Sequence, residues 1–215
     1  MLFRSVGGAI LYQVAAILST KVVRGSEFSD QPSDDIYTGG YSRYLLYPVP
    51  YFGFKYASQV GAQAPSLLQY LLFGALAPLA FRSDVVHVDP TGLVLALGSL
   101  VAANLLYYAM SLAVQGVAFW ADNVWSLMVA QRLLSGVLGG ALFPLAMLPD
   151  RWRPFIEALP FRRLFADPVE TILGRRTLGE WALGIGVTLA WTLAFTLLAR
   201  AVFRRGRLVY SGVGL

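Results

Sequence analysis

The sequence predicts an all-α fold, a polytopic bundle of transmembrane helices with five spans in one domain that covers residues 1–215. Hydrophobic types make up 57% of the chain and charged types 13%, whereas an ordinary soluble domain has about 25% charged residues. Four runs contain no Asp, Glu, Lys or Arg, namely 56–81, 90–121, 133–149 and 181–199. About 18 apolar residues without charge indicate a membrane span, and only the 17-residue run 133–149 falls short of that length. The absence of cysteine excludes a disulfide scaffold and a thiolate zinc site.

The first two predicted spans enclose a polar segment, residues 24–55. The first span covers residues 5–23. Within the polar segment, residues 36–48 are too few and too polar to cross a bilayer, and they favour a short helix in the membrane interface that ends at Pro48. The amphipathic side of this helix is formed by Tyr41, Tyr44, Leu45 and Tyr47. The second span covers residues 57–81.

The third and fourth predicted spans meet at a tight turn. The third begins after Asp89–Pro90, which provides an N-cap and a proline at the first helical position. The 32-residue charge-free run corresponds to about 48 Å of helix, too long for one crossing of about 30 Å and too short for two. We therefore expect one long helix over 91–120 that projects into water. The fourth span, 124–148, contains Gly136 and Gly140 at a GxxxG spacing that allows close helix packing.

The connection before the last span, residues 150–177, contains two predicted amphipathic helices. The apolar face of the first is formed by Trp152, Phe155, Ile156 and Leu159, at i, i+3, i+4 and i+7. The second begins at Asp167–Glu170, which supplies an N-cap, a proline and an acidic third residue, and it ends at Gly174. Both helices are too short to cross, so we expect them to lie in the interface or to dip in and return. A capping box at Thr177–Glu180 opens the fifth span, 181–199.

A few polar and small residues inside the spans are candidates for a translocation pathway or a subunit interface. Arg132 lies within an apolar helix, where a charge costs at least about 2.5 kcal/mol and tends to face the bundle interior or water. It either lines a pathway or interface, or it snorkels from a helix that begins deeper. For Asn104, Gln115 and Gln131, hydrogen bonding between helices is favoured over a pathway role. The complete candidate set is Arg132, Asn104, Gln115, Gly136, Gly140 and Pro144, of which the two glycines are favoured as packing positions.

Signatures of enzymes, metal sites and nucleic-acid binding are missing or weak. His87 is the only histidine, which excludes an HExxH site, and the chain has no GxSxG elbow and no GxxxxGK[ST] loop. Asp84, His87 and Asp89 are close in sequence, but a solvated turn with a helix cap is favoured over a cation site. We expect no metal and no cofactor. Fifteen of the 17 basic residues are arginines clustered beside apolar runs, which favours membrane lipids or a protein partner over nucleic acid.

Two stretches and the order of the elements around them carry a resemblance to a known family. The stretches are Ile36-x-x-Gly39 through Leu45-Leu46-x-Pro48, and Gly140-x-x-x-Pro144 through Pro160-Phe161. An apolar span follows the first stretch, and then come a long span that ends in Phe-Trp and a glycine-rich span. Together they resemble the membrane permease subunit of ATP-binding cassette (ABC) transporters of the type-2 exporter class, over nearly the whole chain.

The resemblance implies a division of labour between subunits. Permeases of this class have six spans, form homo- or heterodimers, and bind a separate ABC ATPase subunit that binds and hydrolyses ATP, so this chain would not itself be an enzyme. The coupling helix that docks on the ATPase corresponds to Asp35–Pro48. The residues that would carry coupling are Ile36, Gly39, Gly40, Tyr41, Arg43, Tyr44, Leu45, Leu46 and Pro48. The segment 150–177 would lie on the outer side of a bacterial cytoplasmic membrane, an orientation that the even count of basic residues on the two sides leaves open.

One departure from the family pattern and two alternative functions remain. Five spans with a cytoplasmic C-terminus place the N-terminus outside, whereas the family begins inside. We therefore expect a missing first span, through an N-terminal truncation or a misassigned start. A membrane-embedded lipid-modifying enzyme would have the arginines of 151–176 as a site for anionic headgroups, but it lacks an acid–base pair. An accessory subunit of another membrane complex is the third possibility.

Overall fold

The described part of the computed structural model comprises residues 6–25, 31–80, 90–142, 145 and 149–210. These residues contain no β-strand, and the predicted all-α class is confirmed. Their α-helices are α1 (Val6–Arg24), α2 (Pro32–Tyr37), α3 (Tyr41–Tyr44), α4 (Tyr51–Ala62), α5 (Ala64–Ala80), α6 (Pro90–Gln115), α7 (Trp125–Leu138), α8 (Arg153–Ala158), α9 (Phe161–Ile172) and α10 (Leu178–Val209). Short 3₁₀ helices lie at Gly116–Phe119 and Asp150–Trp152.

Two helices in the described ranges are long and apolar enough to cross a membrane, Thr91–Phe119 and Leu178–Val209. They correspond to the third and fifth predicted spans. The predicted capping box at the start of α10 is confirmed, because Thr177 Oγ1 accepts from the Glu180 amide while the Glu180 carboxylate accepts from the Thr177 amide. A shorter apolar helix covers Ala64–Leu76. The count of five spans stays a prediction.

The second predicted span, 57–81, is not one helix, and its prediction is wrong in this respect. The helix is interrupted by a turn at Gln63, between α4 and α5. Pro65 has no amide hydrogen to donate to the Gly61 carbonyl, so a continuous helix would lose a hydrogen bond there. The break is closed instead by tight turns, in which the Gln63 amide donates to Val60 O (3.1 Å).

The fourth predicted span, 124–148, is also shorter than expected, because α7 ends at Leu138 after 14 residues, about 21 Å. Gly140 adopts φ +81°, a left-handed conformation that favours glycine. The chain therefore turns, and Gly140 does not lie on the same helix as Gly136. The two glycines therefore do not share one helix face as predicted, although Gly140 still lies close to Ala166 of α9. The Gly139 carbonyl accepts from the Ala166 amide (3.0 Å). Pro144 lies outside the described residues, as do Asp84, His87 and Asp89.

The second amphipathic helix of the 150–177 connection begins at Phe161, not at Asp167 as predicted. Pro168 lies inside α9, and the Asp167 side chain does not cap the helix. Its carboxylate instead pairs with Arg163 (2.6 Å) and Arg176 (2.9 Å), which removes it as a cap acceptor. The first predicted helix is divided into a 3₁₀ turn and α8, and of its apolar face Ile156 is buried while Trp152 and Phe155 are about half exposed.

The core lies around α6, which packs against α1, α9 and α10. One apolar cluster joins α1, α6 and α9 through residues that include Leu11, Leu106 and Phe165. A second, aromatic cluster lies at the C-terminal ends of α6 and α10 and includes Tyr41 and Phe203. Because α9 is buried along most of its length, it is part of the bundle and does not lie on its surface.

Candidate functional site

The candidate site begins with the segment that connects α1 to α4. The predicted single helix over 36–48 is wrong, because two short helices, α2 and α3, are separated by a turn at Gly39 and Gly40. Gly39 has φ +74°, which a side chain with a Cβ adopts only with strain. The Gly39 amide donates to Ile36 O (3.3 Å), so the turn closes α2. We call residues 31–50 the α2–α3 segment.

A buried ion pair attaches this segment to α4. Lys55 Nζ lies 2.7 Å from Asp35 Oδ2, and the two side chains are 2% and 13% exposed. The Tyr51 hydroxyl donates to the same carboxylate oxygen (2.8 Å). Lys55 also lies over the ring of Tyr44, 4.9 Å from its centroid. Burial, and then the charge of Asp35, raise the pKa of the neighbouring Asp34. The charge of Asp35 therefore fixes the α2–α3 segment against α4.

Aromatic contacts attach the segment to the ends of α6 and α10. The Tyr41 ring lies 5.6 Å from Phe119, 6.1 Å from Phe203 and 5.6 Å from Tyr210, mostly edge to face. Each such pair contributes about 0.5–1.5 kcal/mol beyond the burial of its area. Tyr41 is 3% exposed, so the inner side of α3 packs against the C-terminal ends of α6 and α10. A displacement of α3 must therefore be accompanied by a displacement of α10 or by loss of these contacts.

The residues predicted to carry coupling divide into anchors and an exposed surface. Ile36 and Tyr41 are buried in the aromatic cluster, with Tyr44 half-buried beside them. The exposed surface is formed by Arg43, Leu45, Leu46, Tyr47 and Pro48. Leu46 is 86% exposed, and its neighbours Leu45 and Tyr47 are about half exposed. The segment thus presents an apolar tip with a basic residue next to it.

A polar cavity of about 80 Å³ lies beneath the α2–α3 segment, between α2, α4, α6 and α7. Two candidate pathway residues, Gln115 and Arg132, line it together with Gln131. Gln115 Oε1 accepts from the Ser33 amide (3.3 Å), and Gln131 Nε2 donates to Ser111 Oγ (3.0 Å). The structure therefore brings together three residues that the sequence singled out separately. One of the three, Gln115, is hydrogen-bonded directly to the α2–α3 segment.

The other candidate residues lie elsewhere. The Asn104 side-chain nitrogen Nδ2 donates to Val22 O, Val23 O and Gln63 Oε1 at 3.0–3.2 Å, and it thereby joins the end of α1 to the turn between α4 and α5. Gly136 packs near Arg24. Gly140 lies in the turn after α7, where its carbonyl accepts from the Tyr12 hydroxyl (3.1 Å). None of these three is among the lining residues of the cavity.

Sequence reasoning missed the anchoring roles of Lys55 and Asp35, and also Arg24. Arg24 Nη2 donates to the Arg132 carbonyl (2.9 Å) and to Ser135 Oγ (3.3 Å). Its guanidinium also lies 5.2 Å from the centroid of the Phe165 ring. A lysine four residues after Tyr51, followed by 26 uncharged residues, was the available signal for Lys55. Its partner is 20 positions away and could not be identified from spacing.

A second cluster of charges lies on and beside α9. Arg162, Arg163 and Arg176 pair with Asp167 and Glu170 at 2.6–3.5 Å. The side chains of Arg163 and Asp167 are 8% and 6% exposed. Three arginines of the stretch 151–176 therefore already have carboxylate partners. The i, i+4 spacing of Arg163 and Asp167 was the signal for this network, and the misplaced helix start concealed it.

Comparison with known proteins supplies the family. A family model described as ABC-2 family transporter protein matches residues 9–214. Neither a search of curated proteins nor a search of solved structures returned a match. The family match covers nearly the whole chain, and it includes the α2–α3 segment, the polar cavity and the charge cluster on α9.

Proposed function

This chain belongs to the ABC-2 family of transporter proteins and is a membrane permease component of an ABC transporter, and we propose that it couples ATP hydrolysis by a partner ATPase to the export of a substrate. The family match over residues 9–214 is the observation that carries this proposal. ATP is bound by the partner subunit, so the chain itself needs no cofactor and no catalytic residue. A second permease subunit, identical or homologous, completes the pathway in the cytoplasmic membrane of a bacterium.

The α2–α3 segment is the proposed docking element for the ATPase. Its exposed tip, with Leu46 at 86% and Leu45 at 52% exposure, offers apolar area to a partner. Arg43 is exposed beside this tip and adds a charge that can pair with a carboxylate. The orientation follows from this role: the segment and the end of α10 face the cytoplasm, and the 150–177 connection faces the outside.

The anchors of the segment explain how its motion would reach the membrane. The Asp35–Lys55 ion pair joins the segment to α4, and Tyr41 joins it to α10. When the ATPase pair closes on ATP, the segment moves as a rigid unit because both anchors are buried. The Ser33–Gln115 hydrogen bond joins the same unit to the wall of the polar cavity. Two arrangements of this cavity are the proposed inward-open and outward-open states.

Co-purification tests the proposal. We expect the tagged chain, solubilised from membranes of its native host, to retain an ABC ATPase in equal amount. Arg43→Glu should reduce this retention and uncouple ATP hydrolysis from transport without unfolding the bundle, since Arg43 is exposed. Arg151→Glu is the matched control, because it makes the same charge change at an exposed position of the 150–177 connection. Intrinsic enzymatic turnover without any retained ATPase would contradict the proposal and favour the lipid-modifying alternative.

A further inference from the structure

The last helix extends well beyond the apolar run that crosses the membrane. The run without charge begins at Trp181, and 20 residues from there correspond to about 30 Å, the thickness of the hydrocarbon core. Arg200 therefore lies at the edge of the core. α10 continues as a regular helix to Val209, so its last turns lie at the level of the lipid headgroups.

These last turns carry four arginines, which we call the basic face. Its members are Arg200, Arg204, Arg205 and Arg207, all exposed. At about 100° per residue, Arg200, Arg204 and Arg207 lie within roughly 60° of one another around the helix. Leu208, 86% exposed, lies among them. Arginines with an exposed apolar side chain between them are typical of a helix surface that contacts the membrane interface.

The opposite side of the same turns is fixed to the protein. Ala199 and Phe203 are buried, and the Phe203 ring lies 5.3 Å from Phe119. Tyr210, next to the helix end, contacts Tyr41 of α3 at 5.6 Å. Burial raises the pKa of the Tyr41 hydroxyl and the positive charge of Arg207 opposes that rise, so the basic face adjoins the α2–α3 segment. The orientation of the basic face is therefore set by packing.

Neither internal ion pairs nor helix capping accounts for these charges. Among the described residues, no carboxylate lies within ion-pair distance of the four arginines. A cation in the last turn stabilises a helix through its dipole, which accounts for Arg207. The effect falls off within that turn, and Arg200 and Arg204 lie further back. The four arginines therefore present exposed positive charge at headgroup depth, with no carboxylate partner among the described residues, and lipid phosphate carries the complementary charge.

We propose that the basic face binds the phosphate headgroups of anionic phospholipids in the leaflet that adjoins the α2–α3 segment. Clusters of arginine directly beyond a membrane span attract such lipids, and planar guanidinium groups bind phosphate through paired hydrogen bonds. Bound lipid would lie against the exposed side of α10, away from the side that packs on α3. A lipid site follows from depth and charge alone, and it stands whether or not the chain exports a substrate.

Lipid binding by the purified full chain tests this inference without any transport assay. In detergent, the chain is titrated with phosphatidylglycerol or with phosphatidylcholine, and bound lipids are counted by native mass spectrometry. We expect preferential, salt-sensitive retention of phosphatidylglycerol. Arg204→Gln should weaken it about fivefold and Arg204→Gln/Arg207→Gln about 30-fold, whereas Arg151→Gln, an exposed arginine of the opposite connection, should leave it unchanged.

Two results would overturn the inference. The first is equal retention of the two lipids by the wild-type chain, and the second is unchanged phosphatidylglycerol affinity in the double variant. If the double variant keeps that affinity and also loses a co-purified ATPase, the basic face belongs to a protein partner. Helical circular dichroism of each variant excludes unfolding as the cause of a weaker affinity, and a single variant that stays folded suffices for the test.

Discussion

Replacing Asp35 by asparagine removes the charge that compensates the buried ammonium group of Lys55. The ion pair is 2.7 Å long, and the Lys55 side chain is 2% exposed. Loss of one partner of a buried pair costs about 3–5 kcal/mol, because the other charge remains in a poorly solvated place. Asparagine keeps an oxygen that accepts from the Tyr51 hydroxyl, so the variant isolates the charge. At about 2–4 °C per kcal/mol for a chain of this size, we expect the unfolding midpoint to fall by roughly 6–20 °C.

Thermal unfolding of the purified chain in one detergent measures this shift. Asp34→Asn is the matched control, since Asp34 is exposed and next in sequence, and its effect should stay within about 0.5 kcal/mol. Lys55→Met combined with Asp35→Asn removes both charges and should recover most of the lost stability. The reasoning is refuted if Asp35→Asn unfolds at the wild-type temperature, or if the double variant is no more stable than Asp35→Asn alone.

Two further stability predictions concern α9. A Cβ at Gly139 would clash with the Ser135 carbonyl oxygen and would lie 2.6 Å from the Phe165 ring of α9, so Gly139→Ala should destabilise the chain by about 1–3 kcal/mol. Gly61→Ala, which meets open space, should be neutral or slightly stabilising. Detergent unfolding curves distinguish the two variants, and equal midpoints would contradict the packing argument. Asp167→Asn removes the charge that Arg162, Arg163 and Arg176 share and should cost about 3–5 kcal/mol. Glu157→Gln, at a half-exposed carboxylate, should change the free energy of unfolding by less than about 1 kcal/mol. Comparable losses in the two variants would show that the network does not hold α9.

Two predictions that depended on local sequence patterns agree with the structure. Hydropathy predicted the two long helices, since a charge-free apolar run of this length has few alternatives to a membrane helix. The capping box at Thr177 and Glu180 was identified because its two hydrogen bonds join residues three apart. The positions of helix ends are harder to predict from the sequence. Pro65 marks the interruption between α4 and α5, but no residue in the sequence shows that α7 ends at Leu138.

The errors at the candidate site have two causes. Asp167 has the sequence signature of an N-cap, but three arginines pair with its carboxylate, and one of them, Arg176, is brought close only by the fold. Gly136 and Gly140 match a packing motif, but the left-handed turn at Gly140 takes it off the helix. At Asp167 tertiary ion pairs outweigh a local capping preference of about 1 kcal/mol, whereas at Gly140 the positive φ of a glycine ends the helix.

The sequence by itself determined that this chain is an all-helical membrane protein, because the lengths of its apolar runs can be read directly along the chain. The permease type came from the resemblance of two stretches to a known family, and the family match agrees with it. Tertiary structure decided what the polar residues do. The pairing of Asp35 with Lys55, the gathering of Gln115, Gln131 and Arg132 around one cavity, and the packing of α3 on α10 join positions 16 to over 160 residues apart. Distances of that kind depend on how the helices pack, and no periodicity or spacing in the sequence encodes them directly.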